Sequence, residues 1–282
     1  MALPEDFDVQ EFVKRVLAED LGRGGDVTSN ATIAADARFT AAMNVRQAIV
    51  VAGIEIAAAF FRDLDQGVQI ELLATDGDRI EHGVALMRLS GNARAMLAAE
   101  RSALNTLQHL SGIATLTRHY VEAIAGTGAT LLDTRKTLPG LRVLEKYAAL
   151  MGGAQNHRMR LDDGVLMKDN HVAVCGGVGE AVRRAKAANT GLQVQVEVDR
   201  IDQIEPALAA GADRLLLDNM DPARLREAVA LVAGRVPLEA SGGVTLETIR
   251  FLAETGVDFI SVGRITQSAP AVDIGLDYSF SD

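Results

Sequence analysis

Tryptophan is absent from the chain, cysteine occurs once, and prolines number only 6. The single cysteine, Cys175, excludes an internal disulfide framework and suits a reducing cytoplasm. No sequence feature pairs it with a base, so it reads as a small structural residue rather than a nucleophile. No apolar run approaches the roughly 20 residues that cross a bilayer. The run Ile54–Phe61 is short and ends at Arg62 and Asp63. The opening MALPEDFDVQEF has early acids and no apolar core with a cleavage signal, so neither a secretory leader nor a membrane partner is expected. Lysine and arginine total 28 against 38 acids, a net charge of -10. That balance disfavours nucleic acid, whose binding calls for a broad basic surface. Neither a phosphate loop with its terminal lysine and hydroxyl residue nor a GxGxxG fingerprint after the first strand is present, which disfavours a dinucleotide-dependent dehydrogenase.

The scarce positive charge is concentrated. Arg135, Lys136, His157, Arg158, Arg160 and Lys168 fall between Asp133 and His171, interrupted by apolar runs. This is no flexible basic tail, and it suits a small, multiply charged anion. Two acids follow at the ends of hydrophobic strand-like runs, Glu197 and Asp218. A cationic pocket with an acidic edge fits an anionic substrate that also carries a metal or sugar hydroxyls. Solvated surface charge is the plainer reading. It is disfavoured because these charges recur where strands give way to loops.

Up to about residue 115 the elements are mixed. Val9–Leu21 has a helical apolar face made by Val9, Phe12, Val13, Val16 and Leu17, and Gly22–Asp26 breaks it. Phe39–Val51, Val68–Ala74 and Val84–Ser90 read as strands, with Asp76-Gly77-Asp78 as a turn. A long helical pattern runs from Ala93 to about Ala123, with Ser111-Gly112 as its candidate point of interruption. Arg101 sits beside the stripe of Leu97, Leu104, Leu107 and Leu110. It is either a snorkelling surface arginine or a charge reaching into a site or across a subunit boundary.

From about residue 129 strands and helices alternate. The strands are Thr130–Asp133, Val165–Lys168, Val194–Val198, Arg214–Leu217, Leu238–Ser241 and Phe259–Val262. The helices run through Glu145 to Met151 and over Val178–Ala188, Ile201–Ala210, Asp221–Val232 and Thr245–Glu254. Such alternation implies a parallel sheet covered by helices. A barrel and an open doubly wound sheet fit the rhythm almost equally. The barrel is favoured because Asp133, Lys168, Glu197, Asp218, Ser241 and Gly263 all lie near strand carboxyl ends, where barrel enzymes gather their chemistry. Ser241-Gly242-Gly243 and Ser261-Val262-Gly263 close the last two strands. Together they suggest a phosphate site, although either group alone could be an ordinary turn.

At these residues the chain resembles the nicotinate-nucleotide pyrophosphorylase family, also called quinolinate phosphoribosyltransferase. The matching strings include Glu100–Asn105 with Leu110–Thr115, Asp133–Thr137 with Pro139–Arg142, and Glu145–Ala148. They continue through Asn156–Arg158, Lys168–His171, Glu197-Val198, Leu217–Met220, Glu239–Gly243 and Ser261–Gly263. Gly24–Ser29 and the stretch from Ala269 through Asp277 are also similar, so the resemblance covers nearly the whole chain. Departures are Ala154 after Gly152-Gly153, Arg160, and Arg264 and Gln267 after Gly263.

The resemblance implies an α/β and α+β fold. An N-terminal α/β sandwich over 1–115, completed by 270–282, would accompany an incomplete α/β barrel over 116–269. It implies a homodimer in which Arg101 is supplied in trans. The implied reaction joins quinolinate to phosphoribosyl pyrophosphate, giving nicotinate mononucleotide, pyrophosphate and carbon dioxide with Mg2+. Arg135, His157 and Arg158 are then expected to hold the dianion, with Lys168 at its carboxylate edge. Planar guanidiniums match carboxylates better than a lysine point charge. Lys136 faces the phosphates in this reading, beside Ser241, Gly242, Gly243, Ser261, Val262 and Gly263. Glu197 and Asp218 stabilise the ribose cation and help place the metal, directly or through water. Lys168, Glu197 and Asp218 are the catalytic candidates; His171 has a weaker case. Alternatives are a phosphoribosyltransferase with another anionic or nicotinate-like acceptor, a phosphate-binding barrel aldolase or isomerase, and a non-enzymatic anion-binding scaffold.

Overall fold

The computed structural model describes Leu3 and residues 7–278. Residues 1, 2 and 4–6 of the opening read for a leader, and the last four residues of the expected 270–282 completion, lie outside the described residues. In chain order the first elements are α1 (Val9–Leu21), α2 (Val27–Thr32), β1 (Arg38–Val45), β2 (Ile49–Val50) and α3 (Ile54–Leu64). Next come β3 (Gln69–Leu72), β4 (Arg79–Ile80), β5 (Ala85–Asn92), α4 (Ala93–Ala123), β6 (Thr130–Leu132) and α5 (Arg142–Met151). Then follow β7 (Val165–Met167), α6 (Asp169–Cys175), α7 (Val178–Ala187), β8 (Val194–Val198), a 3-10 turn (Ile201–Gln203), α8 (Ile204–Ala209), β9 (Arg214–Asp218) and α9 (Pro222–Val232). The last are β10 (Leu238–Ser241), α10 (Ile249–Ala253), β11 (Phe259–Ser261), α11 (Arg264–Gln267) and β12 (Ile274–Tyr278). The described residues form two compact units, one of Leu3 with residues 7–117, 143–153 and 268–278, the other of 118–142 and 154–267.

In the first unit β12, β1, β5 and β3 form an antiparallel sheet in that order. The chain end returns to its start, Ile274 pairing with Val45 and Tyr278 with Ala41. Helix α1 buries Phe12, Val13 and Leu17, and Phe12 meets Phe60 of α3 edge-on at 6.2 Å. Asp8 caps α1 by accepting from the Glu11 amide at 3.0 Å, a contribution of about 1 kcal/mol. Gly22 ends the helix at φ 53. The apolar run Ile54–Phe61 is the buried helix α3.

Two expectations change here. The single strand expected over Phe39–Val51 is divided at Arg46–Ala48. Arg46 donates its amide to the Asp273 carbonyl and its guanidinium to Asp277. The chain then leaves the first sheet, and β2 pairs with the short β4 instead. Helix α4 runs without interruption through Ser111-Gly112. The Ser111 hydroxyl accepts from the Ala52 amide at 3.1 Å. A Cβ on Gly112 would stand 2.2 Å from the Pro270 carbonyl oxygen, so this glycine serves close approach rather than a break. Helix α5 also packs in this unit: His109 Nε2 lies 2.9 Å from Glu145 Oε1, and Tyr147 donates to Asp76 at 2.6 Å.

The second unit is built on a parallel sheet of order β6-β11-β10-β9-β8-β7. Strands β7 to β11 pair in chain order, and the last, β11, turns back onto the first, β6. This is the cyclic order of a barrel; a doubly wound sheet reverses its order at a switch point. Gln155 bridges the free side of β6 at Leu132. Among the described residues β6 and β7 do not pair, so the barrel is incomplete. Asp221 caps α9, accepting from the Ala223 and Arg224 amides at 2.9 Å each, with Pro222 in the first turn. The helix expected over Thr245–Glu254 shortens to α10, because Thr248 Oγ1 accepts from the Thr245 amide and holds that stretch as a turn.

Candidate active site

In a parallel ladder the paired residues share a level and a face, and alternate residues of one strand share that face. Gln195 pairs with Arg214, and Glu197 with Leu216. Leu216 and Asp218 pair with Glu239 and Ser241, and Glu239 pairs with Phe259. One face therefore carries Glu197, Asp218, Ser241 and Ser261 towards the strand carboxyl ends. Glu239 shares the level of Glu197 through Leu216, and Gln195 and Arg214 lie on the same face, lower down.

The cationic wall is anchored on Asp133, which follows β6 and is fully buried. Its Oδ1 accepts from the His157 amide at 2.8 Å and its Oδ2 from Asn156 Nδ2 at 2.6 Å, tying the 133–137 loop to residues 156–158. Arg158 donates to the Gly164 carbonyl at 2.9 Å. Burial, then the charge of Arg135, pushes the Arg158 guanidinium below its usual range. The Nε atoms of Arg135 and Arg158 are both buried without a hydrogen-bond partner. Two neighbouring, partly desolvated guanidiniums with unspent donors suit a carboxylate pair.

His157 is held at both ring nitrogens. Nδ1 accepts from the Arg158 amide at 2.7 Å, and Nε2 lies 3.5 Å from Glu239 Oε2. Lys136 is exposed; Thr134 Oγ1 accepts its amide, and its carbonyl accepts from Thr266. Its stem crosses Gly263, where a Cβ would lie 2.5 Å from Lys136 Cδ. Arg101 is exposed on α4, in the first unit.

The acidic edge spans three strands. Lys168 Nζ lies 3.1 Å from Glu197 Oε2, and the Lys168 amide donates to His171 Nδ1 at 3.1 Å, which gives His171 a local structural partner. Burial, then the charge of Glu197, raises the Asp218 carboxyl above its ordinary value, against Asn219 and Lys168, which lower it. Asn219 takes a left-handed φ of 54, donates to Asp218 at 2.6 Å, and gives its amide to the Ser241 carbonyl. Gly242, at φ 101, admits that side chain: a Cβ there would lie 2.1 Å from Asn219 Oδ1. Ser261 and Val262 are buried, and Gly243 is exposed with φ 58. Of the departures from the family pattern, Ala154 is buried, Arg160 pairs with Asp162 at 2.9 Å, and Arg264 and Gln267 are exposed.

Sequence reasoning gave no role to Glu239, Gln195 or Arg214. Glu239 is wholly buried; its Oε2 accepts from Gln195 at 2.7 Å and lies 2.8 Å from Arg214 Nη2, an ion-pair contact without hydrogen-bond geometry. Arg214 also lies over the Phe259 ring at 3.9 Å. The available signal was polar residues alternating with apolar ones inside strands buried on both sides.

A model of the quinolinate phosphoribosyl transferase C-terminal domain matches residues 113–277, and one of the N-terminal domain matches residues 26–111. The chain belongs to the quinolinate phosphoribosyltransferase family. It is 42% identical over 278 residues to the nicotinate-nucleotide pyrophosphorylase [carboxylating] of Mycobacterium leprae, covering 96% of this chain and 98% of that one. A probable nicotinate-nucleotide pyrophosphorylase of Bacillus subtilis is 40% identical over 275 residues, 97% of this chain and 94% of its own. Among solved structures, the nicotinate-nucleotide pyrophosphorylase of Francisella tularensis superposes with a TM-score of 0.93 at 40% identity, over 99% of this chain and 98% of that one. Human nicotinic acid phosphoribosyltransferase, at 13% identity and a TM-score of 0.65 over 97% of this chain and 74% of its own, shares the fold alone.

Proposed function

We infer that this member of the family catalyses the reaction of quinolinate with phosphoribosyl pyrophosphate to give nicotinate mononucleotide, pyrophosphate and carbon dioxide, a step in NAD biosynthesis. The observation that carries the acceptor assignment is the pair Arg135 and Arg158, each with a buried, unpartnered Nε. A dicarboxylate satisfies both. Lys168 approaches its carboxylate edge, and Lys136 with Ser241, Gly242, Gly243, Ser261, Val262 and Gly263 forms the phosphate side.

The ring nitrogen donates its lone pair to the anomeric carbon, and pyrophosphate leaves with the electrons of the broken C–O bond. Positive charge grows on the ribose, where the fixed carboxylates Glu197 and Asp218 stabilise it without reorganisation. The alkylated nitrogen is now cationic. The adjacent carboxylate leaves as carbon dioxide, and its bonding pair stays on the ring carbon next to that nitrogen. A proton, from the Lys168 ammonium or from water, completes the product.

The acidic edge fits magnesium held jointly with substrate. Glu197 and Asp218 offer hard oxygen donors, and a bound cation would relieve the repulsion by which Glu197 raises the Asp218 carboxyl. Among the described residues no group of three or more His, Cys, Asp and Glu is placed to hold a metal. Magnesium commonly takes one or two carboxylates, waters and substrate phosphates. Bound there, it would neutralise charge on the leaving pyrophosphate.

The working unit in this reading is a homodimer, with Arg101 completing the partner's pocket, in the cytoplasm. The location rests on the lone Cys175; no helix of the described residues is long and apolar enough to cross a membrane. Acceptor choice is tested by binding: the protein should hold quinolinate at least about tenfold more tightly than nicotinate, because the second carboxylate meets a second guanidinium. Equal affinity would point to a monocarboxylate acceptor.

A further inference from the structure

We infer that Glu239 is a positioning residue for the acceptor pocket, acting through His157 on Arg158, and this rests on the acceptor reading above. Of the residues assigned to the acceptor, His157 is the one whose ring lies against Glu239, at 3.5 Å. It is wholly buried on the barrel face beneath Asp218 and Ser241. An isolated buried carboxylate is costly, so its retention calls for a compensating arrangement. Burial pushes its carboxyl up, but His157, Arg214 and Gln195 outweigh that and hold it below its ordinary value.

The hydrogen-bond pattern gives this charge a direction. His157 Nδ1 accepts from the Arg158 amide, so that nitrogen carries no proton and the ring proton sits on Nε2, towards Glu239. The carboxylate therefore selects the tautomer whose other nitrogen fixes the backbone of Arg158. Asp133 fixes the neighbouring amide. Packing does not do this work alone: His157, Arg158, Gln195 and Arg214 line a common cavity of about 250 Å³. A ring that lost Glu239 would have room to turn, and the amide of Arg158 would lose its acceptor. Arg214 supports the device from below, balancing the charge of Glu239 while stacked on Phe259. A buried acid that orients an imidazole is a recurrent way to fix tautomer and ring position.

The test is Glu239→Ala, with binding of quinolinate and of phosphoribosyl pyrophosphate measured separately by calorimetry. The affinity for quinolinate should fall about tenfold or more, and that for phosphoribosyl pyrophosphate should stay within about twofold. The His157→Ala/Glu239→Ala double variant should be no worse than His157→Ala, since the acid acts through the ring. Because Glu239→Ala strands Arg214, the Glu239→Ala/Arg214→Ala variant carries the same expectation with no uncompensated charge. Glu239→Gln, whose amide oxygen can still accept from Nε2, should recover most of the lost affinity. Equal losses for both substrates, additive losses with His157, no loss, or failure of all four Glu239 variants to fold would make the acid merely structural. Failure of the parent protein to bind quinolinate would instead overturn the acceptor reading.

Discussion

Lys168 and Glu197, one just past β7 and the other on β8, meet at 3.1 Å across neighbouring strand ends of the barrel. The lysine is about half exposed and the glutamate nearly enclosed, at 53% and 9%. Solvent screening makes such a pair a weak source of stability. Its consequence is positional: it holds the Lys168 ammonium beside Glu197 at the acidic edge, where the proposed reaction calls for a cation near the acceptor carboxylate.

Removing the Arg158 fork should weaken quinolinate selectively. Arg158→Ala is expected to raise the quinolinate KM about 10- to 100-fold, the value of a charge-assisted contact, with the KM for phosphoribosyl pyrophosphate little changed. Arg158→Lys should also be impaired, because it keeps the charge but loses the planar geometry. Steady-state kinetics with each substrate varied in turn decides this; equal effects on both would remove Arg158 from the acceptor pocket.

Asp218 carries a carboxyl raised by burial and by Glu197. A folded-state value above the unfolded one means that the ionised acid costs stability once the pH rises past the unfolded value. Asp218→Asn should therefore leave the protein as stable or more stable at neutral pH. Turnover should nevertheless fall about 100-fold, with an altered magnesium response and little change in quinolinate binding. Thermal melts and magnesium titrations at pH 7 check both halves. A destabilised variant with parental turnover would mark Asp218 as structural.

Gly242→Ala tests the phosphate side without touching a charge. The added Cβ would fall 2.1 Å from Asn219 Oδ1 at a φ of 101. The strain of a left-handed non-glycine residue and the displaced Asn219 should cost roughly 1–3 kcal/mol of stability. The KM for phosphoribosyl pyrophosphate should rise more than that for quinolinate. A denaturant melt unchanged from the parent would show that the loop accommodates a side chain freely.

The homodimer reading gives each pocket the Arg101 of the other chain. Arg101→Ala and Arg135→Ala chains should each be inactive alone. Mixed, they form heterodimers in which one pocket keeps both arginines, taking Arg135 from the first chain and Arg101 from the second. Activity should return to at most about half per heterodimer if sites act independently. Verified subunit exchange without recovery would exclude the trans arrangement.

Much of this architecture was legible because parallel strands buried on both faces are written as short apolar runs, as in β6, β7 and β9. The cyclic strand order was only hinted at, by polar residues at Asp133, Lys168, Glu197 and Asp218. Short or irregular pieces left little periodicity to read. Helix α6 is only seven residues long and buries none of them, while β2 and β4 span two residues each. Gly112 looked like a breaker because the carbonyl it admits, on Pro270, is distant in sequence. Glu239 was visible only within a motif; its meaning depends on Gln195, Arg214 and His157, which the strand register and the loop tied to Asp133 bring together.

The most direct test of the central claim is simultaneous detection of nicotinate mononucleotide and carbon dioxide from purified protein, quinolinate, phosphoribosyl pyrophosphate and magnesium. The expected result is equal amounts of both products, with neither formed when either substrate is omitted. Mononucleotide formed from nicotinate without carbon dioxide release, or no mononucleotide from quinolinate under any magnesium concentration, would contradict the assignment.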